Sequence, residues 1–70
     1  MRDNLLTKRE YEVFSLLVMN KSTKEIAKEF GISDKTVRNH ISNVIQKLGV
    51  SDRSGAVIEL LRLKTISLPE

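Results

Sequence analysis

The chain has 70 residues, enough for one small domain with a thin core that buries roughly 60% of its unfolded surface. It contains no cysteine, which excludes disulfide bonds and thiolate metal sites, and its single histidine, His40, cannot build a zinc site without further ligands. Twelve basic and nine acidic residues leave a net charge of +3, an excess that is also ordinary for a soluble domain.

A capping box predicts the start of the first helix. Glu10 lies three residues after Thr7, so helix 1 should begin after Thr7, and Asn20 marks its expected end. Apolar residues recur at helical spacing, and we expect the two aromatic ones among them in the core. This stripe consists of Tyr11, Phe14, Leu17 and Val18, with Val13 on its flank.

The second helix begins with the same kind of box. It is formed by Ser22 and Glu25, although the helix could also begin one residue later. The helix should end at Gly31, because glycine suits a left-handed C-terminal cap. Its apolar stripe is Ile26, Ala27 and Phe30.

A tight turn leads into the third helix. Ser33 can cap it, Asp34 suits the positive end of its dipole, and the helix should run to about Leu48 and stop at Gly49. Two helices joined by a short glycine-containing turn are typical of a helix-turn-helix. An αα-hairpin has a similar periodicity, but it gives less reason for positive charge around the turn. Six basic and three acidic residues lie between positions 21 and 47, so this region carries the whole net charge.

Helix 3 has one apolar and one polar face. The apolar face consists of Val37, Ile41, Val44, Ile45 and Leu48. After Asp34 the helix contains no acidic residue, and its polar side holds amides and a serine, which are weaker helix formers than the usual surface residues. Such groups can pair with base edges in the major groove of DNA. Alternatively, the polar side of helix 3 only faces solvent.

Candidate roles follow from position on this helix. Base contacts are predicted for Arg38, Asn39 and Ser42, which point outward in the turns that usually meet base edges. Phosphate contacts are predicted for residues near these and at the start of helix 2, where free N–H groups bind anions. They are Thr23, Lys24, Lys35, Thr36, Asn43 and Lys47. His40 is interpreted as half-buried beside helix 2 or touching phosphate, not as catalytic.

Helix 4 has more apolar surface than one core contact requires. Ser51 or Asp52 should cap it, and it should continue to about Leu63 or Lys64, with a frayed tail containing Pro69 expected after it. One apolar stripe is Ala56, Leu60 and Leu63, and the other is Val57, Ile58 and Leu61. The second set is the predicted interface of a homodimer, which would read inverted half-sites in DNA. Alternatively, the aliphatic parts of Arg62 and Lys64, together with the tail, cover the second stripe. The sequence does not show which stripe faces a partner.

Three segments carry a resemblance to a known family. "LTKREYEVFSLLV", "TKEIAKEFGISDKTVRNHISNVIQKLGV" and "RSGAVIELLR" resemble the LuxR/FixJ/NarL-type DNA-binding domain over about residues 6–63. Among its members, the chain looks most like a small spore-formation regulator. The resemblance implies an all-α, four-helix helix-turn-helix domain, a bacterial transcription regulator, helix 3 as recognition helix and a dimer through helix 4. Gly55 departs from the family, in which similar proteins often have a larger residue.

Most members of this family carry an upstream receiver or ligand-binding domain. The chain opens only a few residues before Leu6, so we expect a single domain over residues 1–70 and a free-standing regulator. The alternative is a DNA-binding output domain cut from a longer response regulator.

The sequence gives less support to other function classes. The sequence has no phosphate loop, nucleophile elbow or metal cluster, so we expect no enzyme, no cofactor and no small-molecule ligand. A sigma-factor-like module would also contain a helix-turn-helix, with RNA polymerase as its main partner. An RNA-binding domain would require exposed aromatic residues for stacking, and it is disfavoured because Tyr11, Phe14 and Phe30 are expected in the core. The longest apolar run is far below the ~20 residues of a membrane span, which predicts a cytoplasmic protein.

Overall fold

The computed structural model describes residues 5–66, and these residues form four α-helices and no strand. The all-α prediction is therefore confirmed. No helix within residues 5–66 has the length and apolar character needed to cross a membrane. The helices are α1 Lys8–Val18, α2 Thr23–Phe30, α3 Asp34–Leu48 and α4 Arg53–Arg62.

Both predicted capping boxes are present. The Glu10 N–H donates to Thr7 Oγ1 at 3.1 Å, and the Thr7 N–H donates to Glu10 Oε1 at 2.9 Å. Ser22 and Glu25 exchange the same two bonds at 2.8 and 3.1 Å. Each box satisfies N–H groups that the first helical turn leaves without partners, which fixes where α1 and α2 begin.

The turn between α2 and α3 depends on a left-handed residue. Gly31 has φ 67°, and the Ile32 N–H reaches back to the Ala27 carbonyl at 3.0 Å. This pattern ends α2 and redirects the chain into α3 within a few residues. Gly49 ends α3 in the same way, with φ 69°.

The start of α4 explains the unusual glycine of this chain. Asp52, rather than Ser51, is the cap, and its Oδ1 accepts the Gly55 N–H at 2.8 Å. A Cβ at Gly55 would lie 3.3 Å from both the Val50 Cβ and Asp52 Oδ1, so a larger residue there would crowd the cap.

Helix α3 forms the centre of the core, because the most extensive contacts of each of the other three helices are made with it. The predicted buried face of α1 was wrong at two residues. Val13, placed on the flank, is fully buried, whereas Tyr11 is 46% exposed. Since α1 contacts all three other helices, its buried arc is centred between Val13 and Phe14, and Tyr11 lies outside it.

The chain after α4 also differs from expectation. Helix α4 stops at Arg62 because Lys64 takes a φ of 61°, and Leu63 is exposed instead of continuing the core stripe. Ile66, expected in a frayed tail, is buried with 3% exposure. The Thr65 N–H donates to the Leu60 carbonyl at 2.9 Å, which turns the chain back onto the core. Pro69 lies outside the described residues.

Candidate nucleic-acid interface

The outer face of α3 is accessible along its whole length. Val37, Ile41 and Val44 are buried on the opposite side, which fixes the rotation of the helix. The exposed side chains are Lys35, Arg38, Asn39, Ser42, Asn43 and Gln46. All three predicted base-contacting residues therefore share one accessible surface.

The N-terminus of α3 is ordered by its own hydroxyl groups. Ser33 Oγ accepts the Thr36 N–H at 3.0 Å and lies 2.8 Å from Thr36 Oγ1. Thr36 is half-buried, and its hydroxyl is engaged with that of Ser33 within the turn. The phosphate contact of Thr36 stays a prediction that competes with this bond, whereas exposed Lys35 has no such constraint.

Arg38 is already paired within the helix. Its Nη1 donates to Asp34 Oδ2 at 2.5 Å, while 61% of its side chain remains exposed. The guanidinium has five N–H donors, so this bond leaves others for a ligand.

The start of α2 adjoins the outer surface of α4. Thr23 is half-buried and Lys24 is exposed. Thr23 lines an open groove of about 690 Å³ together with Lys21, Val57 and Ile58. One predicted phosphate-contacting residue, Thr23, therefore lines the same groove as two predicted dimer residues, Val57 and Ile58.

Lys47 has a role that the sequence did not reveal. Its Nζ lies 2.5 Å from Glu10 Oε1 and 3.3 Å from the Leu5 carbonyl oxygen. Glu10 is 3% exposed. Lys47 thus ties the C-terminal part of α3 to the start of α1, and its predicted phosphate contact would have to compete with this ion pair.

The Glu10 carboxylate is stabilised in its charged form. Burial raises its pKa. The hydrogen bonds from Lys47 and from the Thr7 N–H lower it, as do the positive charge of Lys47 and a contribution from His40, and together they outweigh the effect of burial. The pKa of Glu10 therefore lies below its ordinary value. His40 is half-buried, as predicted.

Helix α4 presents one of its two apolar stripes to the core. Ala56 and Leu60 are fully buried, whereas the second stripe is only partly covered. Within it, Val57 and Leu61 are half-buried and pack against the core, whereas Ile58 is 64% exposed. Ile58 is therefore the most accessible of the three predicted interface residues.

Comparison with known proteins identifies the chain. Residues 4–60 match the family described as bacterial regulatory proteins, luxR family. The chain belongs to the luxR family. This luxR-family chain is 69% identical over 64 residues to the spore germination protein GerE of Bacillus subtilis, a match that covers 91% of the chain and 86% of GerE.

A solved structure supports the same assignment. The structure of the transcription factor GerE matches with a TM-score of 0.92 and 63% identity, covering 96% of this chain and all of that one. The predicted likeness to GerE is confirmed, as is the function class of a helix-turn-helix DNA-binding transcription regulator.

Longer members of the luxR family match over part of their length. The transcriptional regulatory protein DegU of Brevibacillus brevis is 44% identical over 59 residues, which cover 84% of this chain and 25% of DegU. These relatives are transcription regulators, a class without enzymatic activity.

Proposed function

We propose that this luxR-family chain binds double-stranded DNA sequence-specifically as a homodimer, with α3 in the major groove. One observation carries this proposal. The exposed face of α3 holds amide, hydroxyl and cationic groups with no acidic residue after Asp34, while its other face is locked into the core. Amides and guanidinium groups pair with base edges, and a carboxylate there would be repelled by phosphate.

The GerE likeness supports a free-standing regulator formed by one domain over residues 1–70. The name of that relative suggests a role in spore formation or germination. A DNA-binding output domain of a longer response regulator is the second candidate, favoured by the partial match to DegU. A sigma-factor-like module, with RNA polymerase as main partner, is a third; RNA polymerase is also a candidate further partner of the regulator. We propose a cytoplasmic, non-enzymatic protein without a small-molecule ligand.

Roles within the site follow from accessibility. We assign base contacts to Arg38, Asn39 and Ser42, all of which are exposed on α3. Phosphate contacts are assigned most directly to the exposed residues Lys24, Lys35 and Asn43, with the half-buried Thr23 and Thr36 at the helix starts. We leave Lys47 out of this set, because its Nζ is bonded to Glu10.

The second copy is proposed to pack on the outward stripe of α4. Burial of exposed Ile58, with Val57 and Leu61 beside it, would remove apolar surface from water at about 25 cal/mol per Å². Two-fold symmetry then requires inverted half-sites in the DNA. If each subunit neutralises about three phosphates, log affinity should fall with log salt at a slope on the order of −5.

Selection from random duplexes, followed by footprinting, tests the proposal as a whole. We expect one enriched motif that consists of two inverted half-sites and a protected stretch centred on their axis. A pool without any enriched motif would contradict sequence-specific binding. A single half-site would contradict the dimer alone.

Replacement of Asn39 by alanine should reduce sequence preference more than it reduces non-specific binding. An asparagine that pairs with an adenine edge discriminates by about 1–3 kcal/mol, which alanine cannot supply. The measurement compares affinities for the selected site and for its single-base variants. Unchanged preference would remove Asn39 from the base contacts.

Replacement of Lys35 by alanine should weaken binding to all sequences to a similar extent. A lysine that contacts phosphate releases about one counterion, so the salt slope should become shallower by about one. Affinity is measured across a salt series for the selected site and for a random duplex. A slope equal to that of the wild type would exclude the phosphate contact.

A further inference from the structure

Asp34 lies beside Arg38 on the surface proposed to enter DNA. It is the only acidic residue in the sequence of α3, and its Oδ2 accepts the bond from Arg38 Nη1 at 2.5 Å. The acid precedes the base by four residues, which is the favourable order on a helix. The two side chains are 31% and 61% exposed, and an ion pair at such exposure adds little stability.

The other oxygen of this carboxylate is unfavourably placed. Asp34 Oδ1 is buried and has no hydrogen-bond partner among residues 5–66, which costs folding free energy. The helix does not depend on Asp34 as a cap, since Ser33 Oγ already accepts the Thr36 N–H. The negative charge of Asp34 also suits the positive end of the helix dipole, but any acidic residue in the first turn would make this modest contribution, so it does not account for the pairing with Arg38.

We propose that Asp34 is a specificity-determining positioning residue that acts through Arg38. This inference rests on the proposed function, in which Arg38 contacts a base. Asp34 engages one N–H group and holds the guanidinium against α3, while further donors remain for the two acceptors of a guanine edge. A phosphate that approaches Arg38 also meets the negative charge of Asp34, whereas a neutral base edge meets less repulsion.

The consequence is a difference between two modes of binding. Without Asp34, Arg38 is free to turn toward the DNA backbone, where it gains affinity for every sequence and loses discrimination. With Asp34, the same arginine is weaker toward phosphate and better oriented toward bases. Asp34 therefore raises the ratio of specific to non-specific affinity.

The test is Asp34→Asn, measured on the selected site and on a random duplex across a salt series. We expect binding to the random duplex to tighten about fivefold, with a slope steeper by about one. The preference for the selected site should fall about tenfold, with the loss confined to the base pair that Arg38 reads. Asp34→Glu retains the carboxylate and should retain most of the preference.

Glu12→Gln is the matched control. Glu12 pairs with Arg9 at 3.3 Å on α1 and is not assigned to the DNA surface, so its replacement makes the same change in net charge. It should tighten binding to both duplexes equally and leave the preference unchanged. An equal loss of preference in both variants would assign the effect to net charge and overturn the role of Asp34.

Arg38→Ala separates this inference from the proposed function. If Asp34 acts through Arg38, adding Asp34→Asn to Arg38→Ala should change the preference no further. Loss of preference in Arg38→Ala but not in Asp34→Asn overturns the role of Asp34 and leaves the proposed function standing. A wild-type protein without preference among duplexes overturns both.

Discussion

Replacement of Lys47 by alanine is expected to lower the free energy of unfolding by about 2 kcal/mol, because it leaves a buried carboxylate without its charged hydrogen-bond donor. Glu10 is 3% exposed, and Lys47 Nζ lies 2.5 Å from its Oε1. The Thr7 N–H still donates to Glu10 in the variant, and the Lys47 side chain is 35% exposed, so the loss stays below that of a fully buried ion pair. Chemical denaturation followed by far-UV circular dichroism measures the effect. For a domain of this size such a loss is a large share of the total stability.

Lys28→Ala is the matched control for this experiment. Lys28 is exposed on α2, and no salt bridge involves it within the described part of the chain. Its replacement should change stability by less than about 0.5 kcal/mol. If Lys47 instead contacts phosphate, Lys47→Ala would keep near-normal stability and would make the salt slope of DNA binding shallower by about one. That result would contradict the structural role.

The same pair predicts how stability depends on pH. The pKa of Glu10 in the folded protein is lowered from its ordinary value of 4.5, so the unfolded chain binds the proton more tightly. The contribution of Glu10 is therefore fully present above about pH 4.5 and is lost as pH falls through the folded pKa. Lys47→Ala should reduce this acid sensitivity, because the hydrogen bond and the charge that lower the pKa are gone.

Replacement of Ile58 by glutamate should convert the proposed dimer into monomers and weaken binding to the inverted site by about 10²–10⁴-fold. Linked subunits bind the second half-site at a high effective concentration, and this advantage disappears when the dimer dissociates. Ile58 is 64% exposed, so the substitution places a charge at the interface without burying it in the monomer. Sedimentation gives the oligomeric state, and affinity is compared between the inverted site and a single half-site.

Tyr11→Glu is the control for Ile58→Glu. Tyr11 is 46% exposed on α1, so the variant introduces the same charge at an exposed apolar position on another helix. It should remain dimeric. A dimer that persists in Ile58→Glu, or half-site binding that weakens as much as binding to the inverted site, would contradict an interface on α4. Leu61→Glu is a less clean test, since Leu61 packs against the core and its replacement also perturbs the fold.

Local chemistry allowed the helix boundaries to be predicted. The caps at Thr7, Ser22, Ser33 and Asp52 are bonds between residues three apart, and the glycines at the ends of α2 and α3 act through their own φ angles. Such features are complete within a few residues of sequence. The exposed face of α3 could also be predicted, because one buried stripe fixes the rotation of a helix.

The predicted burial of side chains was wrong where several helices meet. Sequence periodicity placed Tyr11 in the core and Val13 on its flank, since it assumes one contact direction for α1, whereas α1 packs against three helices. It likewise extended the core stripe of α4 to Leu63, although the chain reverses after Arg62 and buries Ile66 instead.

The amino-acid sequence by itself determined the four helices, their order, the helix-turn-helix and an outer face of α3 without acidic residues after Asp34, because these depend on local hydrogen bonds and on helical periodicity. Only the tertiary structure decided that Ile58 is the most exposed of the predicted interface residues of α4, and that Lys47 pairs with Glu10 from 37 residues away. Contacts at that separation depend on how helices pack, and no pattern of spacing along the chain encodes them.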